Sequence, residues 1–201
     1  VMETAATIQR PDNTPGNIFE NIFSKALVQA DYNYDNKYFF VGSAVKESSS
    51  RFGKDNRSAT FYTLGGSWIL TNEDFMSHQD VLDFAKVRMS YGITGNANIG
   101  DYQALGIYSY GSQYAGNSAA VPFQLSNPLL TWEKANMFNV GIDLSFFKRI
   151  SFTADWYNKT TKALLLDVPL PLTSGYPFIT QNVGSVRNKG FEFSVVSKNI
   201  D

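Results

Sequence analysis

The sequence predicts an all-β fold of antiparallel up-and-down hairpins, each strand apolar on one face and small or polar on the other. Three observations predict it. Alternating stretches recur along the chain, about seven in all, close to the roughly ten residues that a tilted strand needs to cross a bilayer. Short turns at Asp35-Asn36 and Lys148-Arg149 alternate with longer polar loops at 48–57, 95–130 and 165–182, as hairpins entered from one side require. Aromatic residues make up 15% of the 201 residues and charged residues only 17%, against roughly 25% charged in soluble domains.

Each element follows from its residues. Residues 1–23, with Pro11, Pro15 and Gly16, read as a loop lead-in. From Ser24 onward Val28, Ala30, Tyr32 and Tyr34 share one face, opposite Gln29, Asp31, Asn33 and Asp35. After the turn at Tyr34-Asp35-Asn36-Lys37 the chain returns through Tyr38, Phe40, Gly42 and Ala44, with weak alternation. A third strand sets Tyr62, Leu64, Gly66, Trp68 and Leu70 outward. Thr71 then stands where it can cap, and Glu73 and Asp74 suit a helix N-terminus, so a short helix is expected near Glu73 to Ser77.

The second half repeats the pattern. Val87, Met89, Tyr91 and Ile93 alternate with Arg88, Ser90, Gly92 and Thr94. The stretch from Gly95 to Leu130 reads as a large loop with its own short hairpin. Phe138, Val140, Ile142, Leu144 and Phe146 form one side of a long strand, and Ile150, Phe152, Ala154 and Trp156 one side of the next. The prolines and glycine of 164–181 read as loop, and Phe191, Phe193 and Val195 as the last strand. Tyr34, Tyr38, Trp68, Leu70, Phe146 and Ile150 all fall at the short-turn end, where a ring half wet and half apolar suits a membrane interface.

Composition excludes several classes. Net charge is −1 and there are no cysteines, so neither a nucleic-acid surface nor a disulfide or thiolate framework is expected. No apolar run approaches the roughly 18 residues of a membrane helix. No signal peptide is visible at Val1, so a mature chain or a fragment is expected.

No catalytic, cofactor-binding or metal-ligating set is expected, and no substrate-contacting residue can be nominated. Asp31, Asn33 and Asp35 mimic the start of a calcium loop, but Asn36 and Gly42 stand where Gly and Glu are required. His78, the only histidine, has no ligand or triad pattern around it and reads as a surface loop residue. Glu73, Asp74, Asp80 and Asp83 read as dipole complement and solubility rather than a carboxylate pair. Gly92, Gly95 and Gly100 do not form a phosphate cradle. Tyr102, Tyr108, Tyr110, Tyr114 and Trp132 suit sugar stacking or contact with a partner protein, weighed against packing of the loop on itself. On pattern alone two folds remain open: a transmembrane barrel, and a soluble β-sandwich such as a carbohydrate-binding module.

Five ordered segments resemble the TonB-dependent outer-membrane transporters of the SusC/RagA family. They are Ser50-Arg51-Phe52-Gly53 with Asn56-Arg57, Lys86 to Asn96 continuing to Ile99-Gly100, Asn127-Pro128-Leu129-Leu130-Thr131-Trp132-Glu133-Lys134, Asp155-Trp156-Tyr157-Asn158-Lys159, and Asn182 to Phe193. The resemblance runs from about Ala26 to the end. It implies a bacterial outer-membrane barrel of about 22 strands with an N-terminal plug. It implies a SusD-like surface lipoprotein as lid, energy from TonB, and an oligosaccharide or oligopeptide cargo. It implies no enzyme and no cofactor. Residues 24–201 would then be part of the barrel wall, about seven strands toward its C-terminal half, with the plug outside this chain. Val45 and Glu47 depart from the family, which often carries Arg and Asp there. Open sheet edges predict that the 201 residues form no pore alone.

Overall fold

A computed structural model describes residues 8–9, 15–16 and 20–199. Two two-residue strands, β1 (Ile8–Gln9) and β2 (Pro15–Gly16), pair antiparallel. The rest of the lead-in before residue 20 lies outside the described residues. Seven long strands make one antiparallel sheet: β3 (Phe23–Tyr34), β4 (Tyr38–Ser49), β5 (Ser58–Ile69), β6 (Leu82–Asn96), β9 (Glu133–Phe146), β10 (Ile150–Pro169) and β11 (Phe178–Ser197). Their order in the sheet is their order in the chain. A separate hairpin, β7 (Ile107–Tyr114) and β8 (Asn117–Gln124), stands inside the long loop between β6 and β9.

The register fixes the two faces. Tyr32, Phe40, Gly66, Met89, Val140, Trp156 and Phe191 form one unbroken cross-strand row. Asn33, Phe39, Ser67, Arg88, Gly141, Asp155 and Glu192 form a neighbouring row on the opposite face. A slip of one residue in any pairing would exchange the faces of that strand. The apolar face is open: Tyr32 is 60% exposed, Met89 56% and Phe191 69%. No second sheet covers it among the described residues. That disfavours the soluble sandwich, which needs both inner faces buried.

The turns at one end explain how successive strands stay in register. Asp35 and Asn36 adopt left-handed backbone (φ 53° and 50°), and Phe147 and Lys148 the same (53° and 55°). Asp and Asn tolerate this conformation; Phe and Lys do so at a cost of about 1–2 kcal/mol each. Neighbours hold the second turn in place: the Lys148 amide donates to the Asp83 carboxylate, and the Arg149 carbonyl accepts from the Lys198 amide.

Three expectations need correction. The loop at 165–182 shrinks to 170–177, because β10 and β11 each run 20 residues. Their outward positions turn polar past Trp156 and Phe191, at Asn158, Thr160 and Lys162 on β10 and at Lys189, Arg187 and Ser185 on β11, before Leu164, Leu166 and Val168 follow on β10. The polar stretch breaks the period-two signal and Leu164-Leu165-Leu166 does not restore it, so the outer halves read as loop. At about 3.3 Å per residue this hairpin spans some 66 Å of strand, far more than an apolar band about 25 Å tall requires. The helix expected near Glu73 is instead two 3-10 turns, Leu70–Asn72 and Asp74–Met76, and no side chain caps either. The fourth strand begins four residues before Lys86, and β4 runs into the expected loop as far as Ser49. The hairpin expected within 95–130 is present as β7–β8.

Among the described residues, buried apolar side chains gather in one cluster at the long-loop end. Phe52, Phe61, Ala104, Leu130 and Trp132 form a cluster, flanked by Val45, Ala59, Ile93, Ala97, Ile99 and Leu165. A single sheet has no interior of its own. The cluster arises where loops 50–57 and 97–132 fold over the long-loop end of β4 and β5, with Val45 paired to Phe61.

Candidate functional site

The polar face carries a brace of charge across three strands. Arg88 on β6 donates to Asp143 on β9 (Nε to Oδ2, 3.0 Å) and to Asp155 on β10 (Nη2 to Oδ2, 2.7 Å). Thr153 donates to the other Asp143 oxygen at 3.1 Å. Arg88, Gly141 and Asp155 lie in one row, so the guanidinium reaches Asp155 by passing over the intervening residue. A Cβ on Gly141 would stand 2.6 Å from Arg88 Cζ and 2.5 Å from an Asp155 oxygen. Glycine is what lets the bridge span two strands. Gly141→Ala is expected to separate Arg88 from Asp155 while leaving the Asp143 contact, lowering the melting temperature of the folded barrel; an unchanged melting curve would refute this role.

A trench of about 400 Å³ lies along the same face, bordered by Asp31, Asn33, Val41, Ser67, Arg88 and Asn139. Gly65 and Gly141 lower its floor. Glu47, the family departure, is buried on this side and takes Lys25 Nζ at 2.9 Å from the paired position on β3. Its charge is therefore matched within the wall.

The outer loops are locked together by one segment. In Asn127 to Glu133, Leu130 and Trp132 are fully buried. Trp132 Nε1 donates to the Arg57 carbonyl at 3.1 Å, and its ring meets Phe23, Phe52 and Phe61. Asn182 on β11 serves Thr131 as a strand partner would: its side chain accepts from the Thr131 amide (2.8 Å) and donates to the Thr131 carbonyl (2.7 Å). Asn127 Nδ2 donates to the Thr180 carbonyl at 2.8 Å, and Leu165 N to Glu133 Oε2 at 3.3 Å. Arg51 pairs with Asp101 at 2.8 Å, joining loop 50–57 to loop 97–132. Gly95 completes the packing, since a Cβ there would lie 2.0 Å from the Phe61 ring.

At the short-turn end the aromatics have polar partners. Tyr38 stacks on Trp68 with centroids 6.0 Å apart. The Glu73 carboxylate accepts from the Tyr38 hydroxyl (2.7 Å) and the Trp68 indole N–H (2.9 Å), with Lys37 Nζ at 3.4 Å. The Tyr38 hydrogen bond first, then that of Trp68, holds the Glu73 pKa below its ordinary value. Glu73 therefore does more than complement a helix dipole. Its stabilising contribution is complete above the ordinary carboxylate pKa and is lost as pH falls through the lowered folded value. Acid titration should shift tryptophan emission only below the ordinary carboxylate range, and Glu73→Gln should remove that shift. A transition near neutral pH would contradict the assignment.

The remaining residues flagged in the sequence fall apart spatially. Asn33 and Asn36 bond each other across their turn (2.8 Å), and Asp31 accepts from Gln29 (2.9 Å). His78 is exposed beside Ser77. Tyr102 is tied by its hydroxyl to the Glu20 amide at 3.0 Å. Of the loop aromatics, Trp132 is core while Tyr108, Tyr110 and Tyr114 are 59%, 71% and 80% exposed. Sequence reasoning passed over the Arg88 brace and Asn182. Two aspartates and an arginine at polar-face positions were visible, but their meeting requires the register.

A face of open apolar rows, a polar opposite face and unequal loops at the two ends find their counterpart among known proteins. Residues 4–198 match the family model for the TonB dependent receptor-like β-barrel. The chain belongs to this family. It is 38% identical over 178 residues to TonB-dependent receptor P39 of Formosa agariphila, covering 88% of this chain and 17% of that protein. It is 37% identical over 182 residues to TonB-dependent receptor SusC of Bacteroides thetaiotaomicron, covering 85% of this chain and 18% of SusC. The solved RagAB peptide importer in its closed-closed state matches with a TM-score of 0.87 at 32% identity, over 96% of this chain and 22% of that one. The chain thus spans about a fifth of the length of these relatives. Its relatives are of the SusC/RagA type, the family is one of outer-membrane receptors and transporters rather than enzymes, and the barrel is not closed by these seven strands. The apolar rows of this TonB-dependent receptor barrel face lipid, and the Arg88 face looks into the lumen.

Proposed function

We propose that this chain is part of the wall of an outer-membrane active importer, residues 24–201 forming barrel and the plug lying outside the chain. The cargo is an oligosaccharide or oligopeptide too large for diffusion pores, a SusD-like surface lipoprotein closes the mouth, and TonB supplies energy through the plug. The observation that carries the reading is the unbroken apolar row from Tyr32 to Phe191 backed by the polar row from Asn33 to Glu192. Lipid satisfies the first and a wet conduit the second. The kinship with SusC and with the RagAB peptide importer supports import and leaves both cargo classes in play.

In this role the wall works by shape and charge. In the Arg88 brace one guanidinium is shared by two carboxylates, so the polar face there offers hydrogen bonds and keeps a net negative charge. The locked outer loops define the mouth. Deletion of the full gene should abolish uptake of one labelled cargo class, oligosaccharide or peptide, and an affinity-tagged full-length protein should bring down a surface lipoprotein from outer-membrane extracts. Unchanged uptake of both classes, or recovery of the protein in the soluble fraction, would end the proposal.

A further inference from the structure

Four cations stand on the lipid-facing side of the wall, toward its long-loop end. Lys162 on β10 lies directly opposite Lys134 on β9. One rung nearer the short turns Arg187 on β11 faces Thr160, and one rung further Lys189 faces Asn158. These positions continue the outward face of Trp156 and Phe191, away from the lumen. All four cations are exposed. Among the described residues no carboxylate pairs with any of them, whereas Lys25, Lys37, Arg51 and Arg88 each hold an Asp or Glu. Like charges directly opposite in a sheet repel, so Lys134 and Lys162 weaken the wall unless an anion joins them.

Arg187 is already held in place. Its Nε donates to Asn158 Oδ1 at 2.9 Å, which leaves the two terminal nitrogens without a partner among the described residues. A hollow of about 390 Å³ opens beside it, with Asn136, Thr160 and Lys162 at its outer end and Tyr91 and Phe138 at its foot. Hydrogen-bond donors therefore gather at one end of the hollow and aromatic rings at the other. Lys162 lies 12 residues beyond Ile150, the first residue of β10. At about 3.3 Å per residue and a tilt of about 40°, it stands roughly 30 Å above the short-turn interface, just past an apolar band about 25 Å tall. Lys189 is lower, level with Asn158, and its stem is long enough to lift the ammonium toward the same level. That level is the headgroup layer of the outer leaflet. Cargo in the conduit does not reach it, because the wall stands between. Phosphate is the anion that lipids present there, and a guanidinium fork flanked by ammonium groups suits it.

We propose that this patch binds a phosphorylated lipid of the outer leaflet, with Lys134, Lys162 and Arg187 on the phosphate and the rings of Tyr91 and Phe138 along an acyl chain. The inference needs only that the apolar rows face lipid. It holds for either cargo class, and its failure leaves the import reading untouched.

The test uses the full-length transporter, delipidated in detergent micelles. It is titrated with diphosphoryl lipid A, with the dephosphorylated lipid and with inorganic phosphate, and the melting temperature is read. Diphosphoryl lipid A should raise it at concentrations where the other two do not. K134Q/K162Q/R187Q should weaken that lipid by about tenfold or more, and K134R/K162R should keep it. K159Q should bind as wild type does, since Lys159 lies on the lumen face of the same strand. The triple Gln variant should retain the heat-modifiable gel migration of the folded barrel, because the cations are exposed. The proposal falls if diphosphoryl lipid A does not bind, or if the dephosphorylated lipid or inorganic phosphate stabilises the protein equally. It falls if the triple Gln variant binds as tightly as wild type, or if K159Q weakens binding as much. Loss of a co-purifying acidic protein from the triple variant, with lipid affinity unchanged, would overturn it in favour of a protein partner.

Discussion

Met89→Arg should block assembly of the barrel into the outer membrane, at a cost of about 2–4 kcal/mol for a cation at the bilayer midplane. Met89 sits mid-sheet in the row from Tyr32 to Phe191 and is 56% exposed. In water an exposed methionine accepts replacement by arginine with little consequence. In hydrocarbon the same exposure is what makes the charge expensive. The neighbouring Ser90→Arg change points the charge into the lumen and should assemble normally. Outer-membrane yield of the two full-length variants, compared by heat-modifiable gel migration, reads the difference. Equal yields would mean that the apolar rows do not face lipid.

Trp132→Ala should loosen the outer loops without dissolving the sheet. Trp132 is 1% exposed, its ring meets three phenylalanines, and its indole holds the Arg57 carbonyl. Removing a buried Trp costs about 3–5 kcal/mol, and the orphaned carbonyl adds to that. The loss is local, because the strands below are joined by ladders that do not involve the cluster. Limited proteolysis of whole cells should then cut within 97–132 at protease levels that leave wild type intact, while the membrane-embedded strands stay protected. Wild-type resistance in the variant would show that the cluster does not hold the loops.

How much was legible in advance follows from where the physics is periodic. Alternation gave the faces of β3, β5, β6, β9 and the lower halves of β10 and β11, because lipid on one side enforces it. It failed at Asn158 and Lys189, where the outward positions turn polar and the strand goes on without a two-residue rhythm. Pro169 and Pro177 reinforced that error, yet Pro169 is the terminal residue of β10 and Pro177 lies in the loop. The short-turn end was readable from its aromatics, but Glu73 was taken for a helix complement because its partners Tyr38 and Trp68 come from other elements. The Arg88 brace is invisible without the register that sets Gly141 between Arg88 and Asp155. Trp132 could be read either as a stacking ring or as core, and only the fold of loops 50–57 and 97–132 around it decides.

The side-chain amide of Asn182, standing in for a length of backbone, has a mechanical corollary. It fastens Thr131 to β11 just as Asn127 fastens to Thr180, so the crown of the β10–β11 hairpin and the root of the loop carrying β7 and β8 share one foundation. Any sway of that tall hairpin is passed through this joint, as a lever arm passes it, to the loop that carries β7 and β8.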